Sequence, residues 1–147
     1  PTGAEPDHPA RPNTASCVLR VASEASGAHA QAVALLVGDI EAAQEQALLA
    51  RAAPLKADVL LVPHHGSKTS SSDAFIAAVA PRLALVQAGY RNRFGHPAPE
   101  VAARYTERGI TLVQTPQCGA ARWVSGQPQD MHCERQAGRR YWHHPVL

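Results

Sequence analysis

The chain has 147 residues, of which 45% are apolar, enough for one domain with a buried core. Its net charge of +2, from 14 basic and 12 acidic residues, is too small to indicate nucleic-acid binding by itself. No apolar run approaches the roughly 20 residues of a membrane span, and no basic-then-apolar signal pattern opens the chain, so we expect it to be soluble as given.

The first predicted elements are an extended leader and a hairpin. Residues 1–15 hold four prolines and few large apolar groups, which is typical of a segment without regular structure. Strands are predicted over 16–22 and 32–37, and the polar loop 23–31 between them favours a hairpin. The second strand is apolar at consecutive positions, as in a strand covered on both faces.

A helix is predicted next, over residues 41–52, because this segment is rich in Ala, Leu, Gln and Glu. Ala43, Ala47 and Ala50 form its apolar stripe, and Pro54 ends it. Further along, strands are predicted over 58–62, 83–88, 111–115 and 121–125, and helices over 73–79 and 99–108. Residues 16–125 are therefore predicted to form an α/β unit, followed by a tail over 126–147.

Two of these strands end on residues that can bind a metal ion. The strand 32–37 is followed by Gly-Asp39-Ile-Glu41, and the strand 58–62 by Pro-His64-His65-Gly. If the strands run parallel, these ends fall on one edge of the sheet, where α/β proteins place their ligands. A carboxylate with neutral imidazoles suits zinc or manganese, so we expect Asp39 and the two histidines to converge on such a site.

Other interpretations of these residues remain open. A Gly-Asp pair after a strand is most often a turn, and a His-His pair is more often a surface or core pair than a set of ligands. Glu41 falls in the first turn of a predicted helix, where a negative charge is favoured by the helix dipole. The joint pattern of both strand ends is more specific than either half.

Two loops carry candidate phosphate-binding residues. Arginine pairs with phosphate oxygens through two hydrogen bonds, and exposed aromatic rings can stack on bases, which favours such a role for the loop after the strand 83–88. The loop after the paired histidines offers hydroxyl groups and a lysine, although shaping the loop and capping the next helix would also explain them. The candidate substrate-binding residues are Ser67, Lys68, Thr69, Arg91, Asn92 and Arg93.

Five segments together resemble a known family. They are, in order, NTASCVLRV, GDIE, VPHHGSKTSSS, FIAAVAPRLALVQAGYRNRFGHPAPEV and RGITLVQT. They resemble the metallo-β-lactamase-fold hydrolases and, within them, the C-terminal domain of the ComEC family of DNA-uptake competence proteins, over roughly residues 13–125.

The resemblance implies a fold and a set of roles. The fold is the C-terminal half of a metallo-β-lactamase-type αββα sandwich, an α/β structure with a mixed sheet and flanking helices. Asp39 would bridge a pair of divalent metal ions, zinc or manganese, and His65 would be a metal ligand. Glu41, His64 and His96 would act as the catalytic residues that contact the scissile phosphate.

The resemblance also implies a function, with one large departure. The family domain is proposed to degrade the DNA strand that is not imported, on the outer side of the bacterial inner membrane and beside the channel formed by the rest of the protein. Its first motif, HxHxDH or HxDxDH, supplies most of the metal ligands and is absent from these 147 residues. The alternative is therefore an inactive piece that binds DNA or a partner, or is purely structural.

The remaining features are the cysteines and the tail. Cys17, Cys118 and Cys133 lie far apart without the CxxC spacing of a zinc site, and an odd number cannot all pair internally, so we expect buried or idle thiols. The tail over 126–147 interleaves basic and aromatic residues. Such a composition can hold single strands, but a segment without periodicity is more often a poorly ordered terminus.

Overall fold

The computed structural model of the protein describes residues 12–24 and 31–138. The strands are β1 (Leu19–Ala22), β2 (Val33–Leu36), β3 (Val59–Leu61), β4 (Leu83–Val86), β5 (Thr111–Gln114), β6 (Ala121–Trp123) and β7 (Met131–Cys133). The helices are α1 (Ala42–Ala50), α2 (Asp73–Val79), α3 (Pro99–Thr106), α4 (Thr115–Cys118) and α5 (Glu134–Ala137), with 3-10 turns at Pro12–Ala15 and Pro63–Gly66. Most of the predicted leader, and residues 139–147 of the predicted tail, lie outside the described residues.

The first five strands form one sheet in sequence order. β1 and β2 pair antiparallel, whereas β2, β3, β4 and β5 pair parallel. The predicted hairpin and the predicted α/β fold, with a mixed sheet and flanking helices consistent with a sandwich architecture, are confirmed. Because the parallel strands are joined through helices, the ends of β2, β3 and β4 meet at one edge of the sheet.

One face of the sheet carries the hydrophobic core. Leu35, Leu60 and Ala84 pair side by side across three strands and are at most 1% exposed. The buried helix residues of this core are Phe75, Ile76 and Val79 of α2 with Val101 and Tyr105 of α3. Full burial of each large apolar side chain stabilises the fold by about 1.5–3 kcal/mol, so this layer fixes the strand ends that carry the candidate site.

The second face of the sheet is covered in part by the β6–β7 hairpin. Ala121, Trp123 and Met131 of the hairpin enclose an apolar cavity of about 140 Å³ against the central strands. Toward β1 the same face is open, with Leu19 and Val21 55% and 48% exposed. Among the described residues, no helix is long and apolar enough to cross a membrane.

A disulfide between Cys118 and Cys133 fastens this hairpin to the end of α4. The expectation of unpaired thiols is therefore wrong for these two cysteines, whereas Cys17 is free and exposed. Spacing could not reveal the pair, because its partners meet only through the fold. The segment that we predicted as a tail contains two regular elements, β7 and α5, and the disulfide links it to α4 through Cys133.

Candidate active site

The ends of β2 and β3 lie side by side, as parallel pairing requires. The backbone N–H of His64 donates to the carbonyl oxygen of Gly38 at 3.0 Å, which ties the two strand ends together directly. Gly38 has a φ of +57°, a left-handed conformation that glycine adopts without steric cost. The chain therefore turns at once after β2 and presents Asp39 beside the Pro63–Gly66 turn.

The Pro63–Gly66 turn holds both histidines in an unusual backbone conformation. His64 and His65 have φ values of +46° and +56°, a left-handed region that costs residues with a side chain about 1–3 kcal/mol each. Gly66 follows with a φ of +83°, and a Cβ atom there would lie 2.6 Å from the Cβ of Pro97. The turn thus fits only glycine at 66 and aims two imidazoles at the sheet edge.

Asp39 and His65 form the first pair of the site. Oδ1 of Asp39 lies 3.4 Å from Nε2 of His65, and the two side chains are 42% and 48% exposed. The carbonyl oxygen of Gln87, directly after β4, lies 2.7 Å from Nδ1 of His65 and accepts a hydrogen bond from its N–H. In the neutral ring this hydrogen bond leaves the Nε2 lone pair facing the carboxylate, which is the arrangement of a metal-binding histidine.

The spacing of this pair fits a divalent metal ion. Two ligand atoms at about 2.1 Å from a tetrahedral metal are separated by about 3.4 Å, which matches the distance between the carboxylate oxygen and the ring nitrogen. A catalytic zinc site has about three protein ligands. Within the described parts of the chain, no group of three or more His, Cys, Asp or Glu side chains is placed to hold a metal. These residues therefore offer part of a ligand set.

Glu41 and His64 form a second pair beside the first. Oε1 of Glu41 lies 3.4 Å from Nδ1 of His64 and accepts a hydrogen bond from Nδ2 of Asn13 at 3.1 Å. The backbone N–H of Glu41 donates to Oε1 of Gln44 at 3.1 Å, at the N-terminus of α1. Glu41 thus caps a helix and faces the histidines at the same time, so both interpretations of this residue remain compatible with its position.

His96 extends the site away from the first pair. Its ring centroid lies 6.2 Å from that of His64 and 5.8 Å from that of Phe94, on which it stacks. Burial, and then the nearby His64 and His65, lower the pKa of His96, which favours its neutral form. Among the described residues, Nδ1 of His64 and Nδ1 of His96 are buried without a hydrogen-bond partner. Buried polar atoms without a hydrogen-bond partner are uncommon, so both rings are candidates for contact with a ligand.

The loop after the histidines is held mainly by its own contacts. Oγ of Ser67 lies 3.2 Å from Oγ1 of Thr69, and the carbonyl oxygen of Thr69 accepts from the N–H of Ala42 at 2.9 Å. Nζ of Lys68 lies 3.2 Å from Oε1 of Glu100, away from the paired histidines. A substrate role for these three residues stays a prediction, and the structure places Ser67 closest to the turn through its N–H bond to the His64 carbonyl at 2.9 Å.

The loop after β4 is shaped by Asn92. Its side chain donates to the carbonyl oxygen of His96 at 2.7 Å and accepts from the N–H of His96 at 2.8 Å. The guanidinium groups of Arg91 and Arg93 lie over the rings of Tyr90 and Phe94, at 5.2 and 4.8 Å. Asn92 therefore positions His96, while the arginines lie on the loop surface, where their predicted contact with substrate stays untested.

Sequence reasoning assigned no role to several residues that hold the site in place. Ser16 accepts a hydrogen bond from the N–H of Asp39 through Oγ at 3.2 Å, Asn13 orients Glu41, and Gln87 sets the tautomer of His65. The segment NTASCVLRV contains the first two and could have indicated them. Gln87 acts through its backbone carbonyl, for which no side-chain pattern exists.

Comparisons with known proteins give the chain a set of relatives, although no protein-family model matches it. It is 39% identical to Competence protein ComA of Neisseria gonorrhoeae over 116 residues, which are 78% of this chain and 16% of that protein. It is 37% identical to ComE operon protein 3 of Bacillus subtilis over 89 residues, 60% of this chain and 12% of that protein. It is 39% identical to Recombination protein 2 of Haemophilus influenzae over 92 residues, 63% of this chain and 11% of that protein.

The matched region is therefore a small part of each relative, between 11% and 16% of its length. One of these relatives is named a competence protein, one a protein of the ComE operon and one a recombination protein. At 37–39% identity, this chain is similar to one segment of each of these competence and recombination proteins, which supports the predicted resemblance to competence proteins.

Proposed function

We propose that the chain is part of a metal-dependent phosphodiesterase that cleaves DNA in a competence protein. The observation that carries the proposal is the pair formed by Asp39 and His65, 3.4 Å apart, with the tautomer of His65 set by the carbonyl oxygen of Gln87. Zinc or manganese bound by this pair, with further ligands from outside the chain, would lower the pKa of a bound water so that it attacks a phosphodiester.

The residues around this pair would bind and orient the substrate. His64 and His96 would each contact a phosphate oxygen, His64 through Nε2 because its Nδ1 faces the carboxylate of Glu41. Glu41, 3.4 Å from His64, would stabilise the proton on that ring while Asn13 holds the carboxylate in place. Fixed donors of this kind stabilise the charge that develops on the phosphate during the reaction.

DNA is the substrate class that the relatives favour. Proteins named for competence and recombination act in DNA uptake and exchange, and this chain shares 37–39% identity with segments of them. We therefore extend the proposal to degradation of the strand that is not imported, by a domain beside the membrane channel of a longer protein. The channel and the DNA would be the partners of the domain, outside the bacterial inner membrane.

A second candidate function is an inactive segment that binds DNA or a partner. It is favoured by the ligand count, because the described residues contain no group of three possible metal ligands and the sequence lacks the HxHxDH motif. In that case Asp39 and His65 would form an ion pair, and His64 and His96 would bind phosphate without cleaving it.

Metal content and cleavage together test the proposal. A longer protein that adds the missing motif upstream, here called the extended chain, should bind about two zinc or manganese ions and cleave labelled DNA in an EDTA-sensitive manner. The 147-residue chain should bind metal weakly and cleave nothing above background. His65→Gln in the extended chain should remove both properties, and His132→Gln, far from the site, should change neither. Comparable EDTA-sensitive cleavage by the 147-residue chain alone would contradict the need for metal ligands from outside it, and absence of cleavage by the extended chain would contradict the nuclease proposal.

A further inference from the structure

A cavity next to His96 has no role in the proposed binding of metal or phosphate. It lies between the loop 89–97 and the segment in which β5 ends and α4 begins, and it has a volume of about 490 Å³. Small-molecule sites in proteins have volumes of about 300–1,000 Å³, so the space is large enough for one nucleotide. Its lining includes Tyr90, Arg91, His96, Gln114, Pro116 and Gln117.

The two walls of the cavity are fastened to each other. Oγ1 of Thr115 accepts from the N–H of Ala88 at 3.0 Å and donates to its carbonyl oxygen at 2.8 Å. On the opposite side, the two hydrogen bonds between Asn92 and the backbone of His96 hold the loop closed. The cavity is thus preformed, which lowers the ordering cost of binding.

The lining chemistry suits a nucleobase. Tyr90 is 53% exposed, and the guanidinium of Arg91 lies 5.2 Å from the centre of its ring. An aromatic ring or a guanidinium plane stacks on any base, and side-chain amides such as those of Gln114 and Gln117 pair with base edges through a donor and an acceptor. The wall also carries a proline, Pro116, whose apolar ring can lie against a base.

The position of the cavity connects it with the candidate phosphate site. His96 lines the cavity, and its ring lies 6.2 Å from that of His64. We propose that this cavity binds an unpaired base of the DNA strand, on the nucleotide adjacent to the phosphate held by His64 and His96. This inference rests on the proposed function. A base inside a duplex cannot reach such a pocket without leaving the stack, so the site selects single strands or frayed ends.

Binding measured without metal tests the inference separately from cleavage. In EDTA and at one fixed salt concentration, we expect the chain to bind a fluorescently labelled single-stranded oligodeoxynucleotide about tenfold more tightly than an abasic strand of equal length, and more tightly than a blunt duplex. Tyr90→Ala should abolish this difference while leaving the affinity for the abasic strand unchanged. Tyr90→Phe, which keeps the ring, should preserve it.

Two glutamine variants provide a test and its matched control. Gln117→Ala should weaken binding of the base-bearing strand severalfold, whereas Gln46→Ala, an exposed glutamine on α1, should have no effect. Equal affinity for the base-bearing and abasic strands, or unchanged binding by Tyr90→Ala with an unaltered melting temperature, would overturn the inference. Base-dependent binding without cleavage by the extended chain would support this inference and reject the nuclease proposal, and cleavage without base dependence would do the reverse.

Discussion

Two carboxylates near the start of α1 have opposite surroundings. Asp39 is 42% exposed at the sheet edge and faces a histidine that can share a ligand with it. Glu45 is 0% exposed and accepts hydrogen bonds from the backbone N–H groups of Ser71 and Ser72, at 2.6 and 2.8 Å. The side chain of Asp39 is therefore accessible to a ligand, whereas that of Glu45 is buried and already hydrogen-bonded to the backbone.

The buried carboxylate supports the loop next to the candidate site. Besides the contacts of Glu45, the hydroxyl of Tyr105 donates to Oγ of Ser71 at 3.0 Å, and Nη1 of Arg104 donates to the carbonyl oxygens of Ser70 and Ser71 at 3.2 and 2.9 Å. Ser71 has a φ of +61°, a strained conformation that these contacts hold. Stability therefore depends on Glu45 and the proposed ligand binding on Asp39, and substitutions at the two positions can separate these roles.

Glu45→Ala should produce the largest loss of stability. It leaves the buried N–H of Ser71 and the partly buried N–H of Ser72 without an acceptor and creates a cavity, which together should lower the free energy of unfolding by about 3–5 kcal/mol. Urea unfolding followed by circular dichroism would measure the change. Glu107→Ala, an exposed glutamate at the end of α3, is the matched control and should change it by less than about 0.5 kcal/mol. Similar changes in the free energy of unfolding for the two variants would contradict the structural role of Glu45.

Removing the disulfide should have the next largest effect, on the opposite face of the sheet. Cys118 and Cys133 are 15 residues apart, and a disulfide that closes a loop of this length contributes about 3 kcal/mol by restricting the unfolded chain. The double change Cys118→Ser and Cys133→Ser should therefore lower the free energy of unfolding by about that amount. Cys17→Ser, at the free exposed cysteine, should leave it unchanged, and reduction of the parent chain should reproduce the double variant.

Tyr105→Phe should cost about 1 kcal/mol, since it removes one buried hydrogen bond to Ser71. Burial raises the pKa of Tyr105 above its ordinary value, and the charge of Glu45 adds to the shift. A raised pKa means that the contribution of this residue is fully present below the unfolded value of about 10 and is lost as the pH rises beyond it. Urea unfolding at neutral pH and above pH of about 10 should show a smaller alkaline loss in Tyr105→Phe than in the parent. An equal alkaline loss in both would contradict this assignment.

Asp39→Ala should have the smallest effect on stability and a large effect on metal binding. The side chain is half exposed, so the free energy of unfolding should change by less than about 0.5 kcal/mol. If the proposed function is right, the same change in the extended chain should abolish metal-dependent cleavage of DNA, because Asp39 would be a ligand of the metal ions. Full cleavage with normal metal content would exclude Asp39 as a ligand. A large loss of stability would instead give it a structural role like that of Glu45.

Much of the fold and part of the candidate site could be predicted from the sequence. Runs of consecutive apolar residues predict β2, β3 and β4 as strands, although Leu36 of β2 is 39% exposed and not covered on both faces. Helix α2 begins at Asp73, directly after its predicted capping group. Because β2 and β3 pair in parallel, residues that directly follow them must share an edge, so the proximity of Asp39 and His65 follows from their positions in the chain.

The side chain that α1 buries, and the distant groups that hydrogen-bond to it, depend on the tertiary structure. The apolar stripe of Ala43, Ala47 and Ala50 does not form the buried face of α1, since Ala43 and Ala50 are exposed while Glu45 is buried. Glu45 turns inward because the N–H groups of Ser71 and Ser72, which are 26 and 27 residues away in the chain, point at it. Periodicity within one helix carries no information about such donors.

The sequence by itself determined the local elements and the chemistry available at each strand end, because both depend on neighbours within a few residues. Only the tertiary structure decided the pairing of Cys118 with Cys133, the tautomer of His65 set by Gln87, and the cavity beside His96. Each of these depends on groups that are distant in the chain and approach only after the sheet has formed. The reason is that the register of the strands determines which polar groups meet, and this register depends on apolar contacts between residues that are distant in the chain.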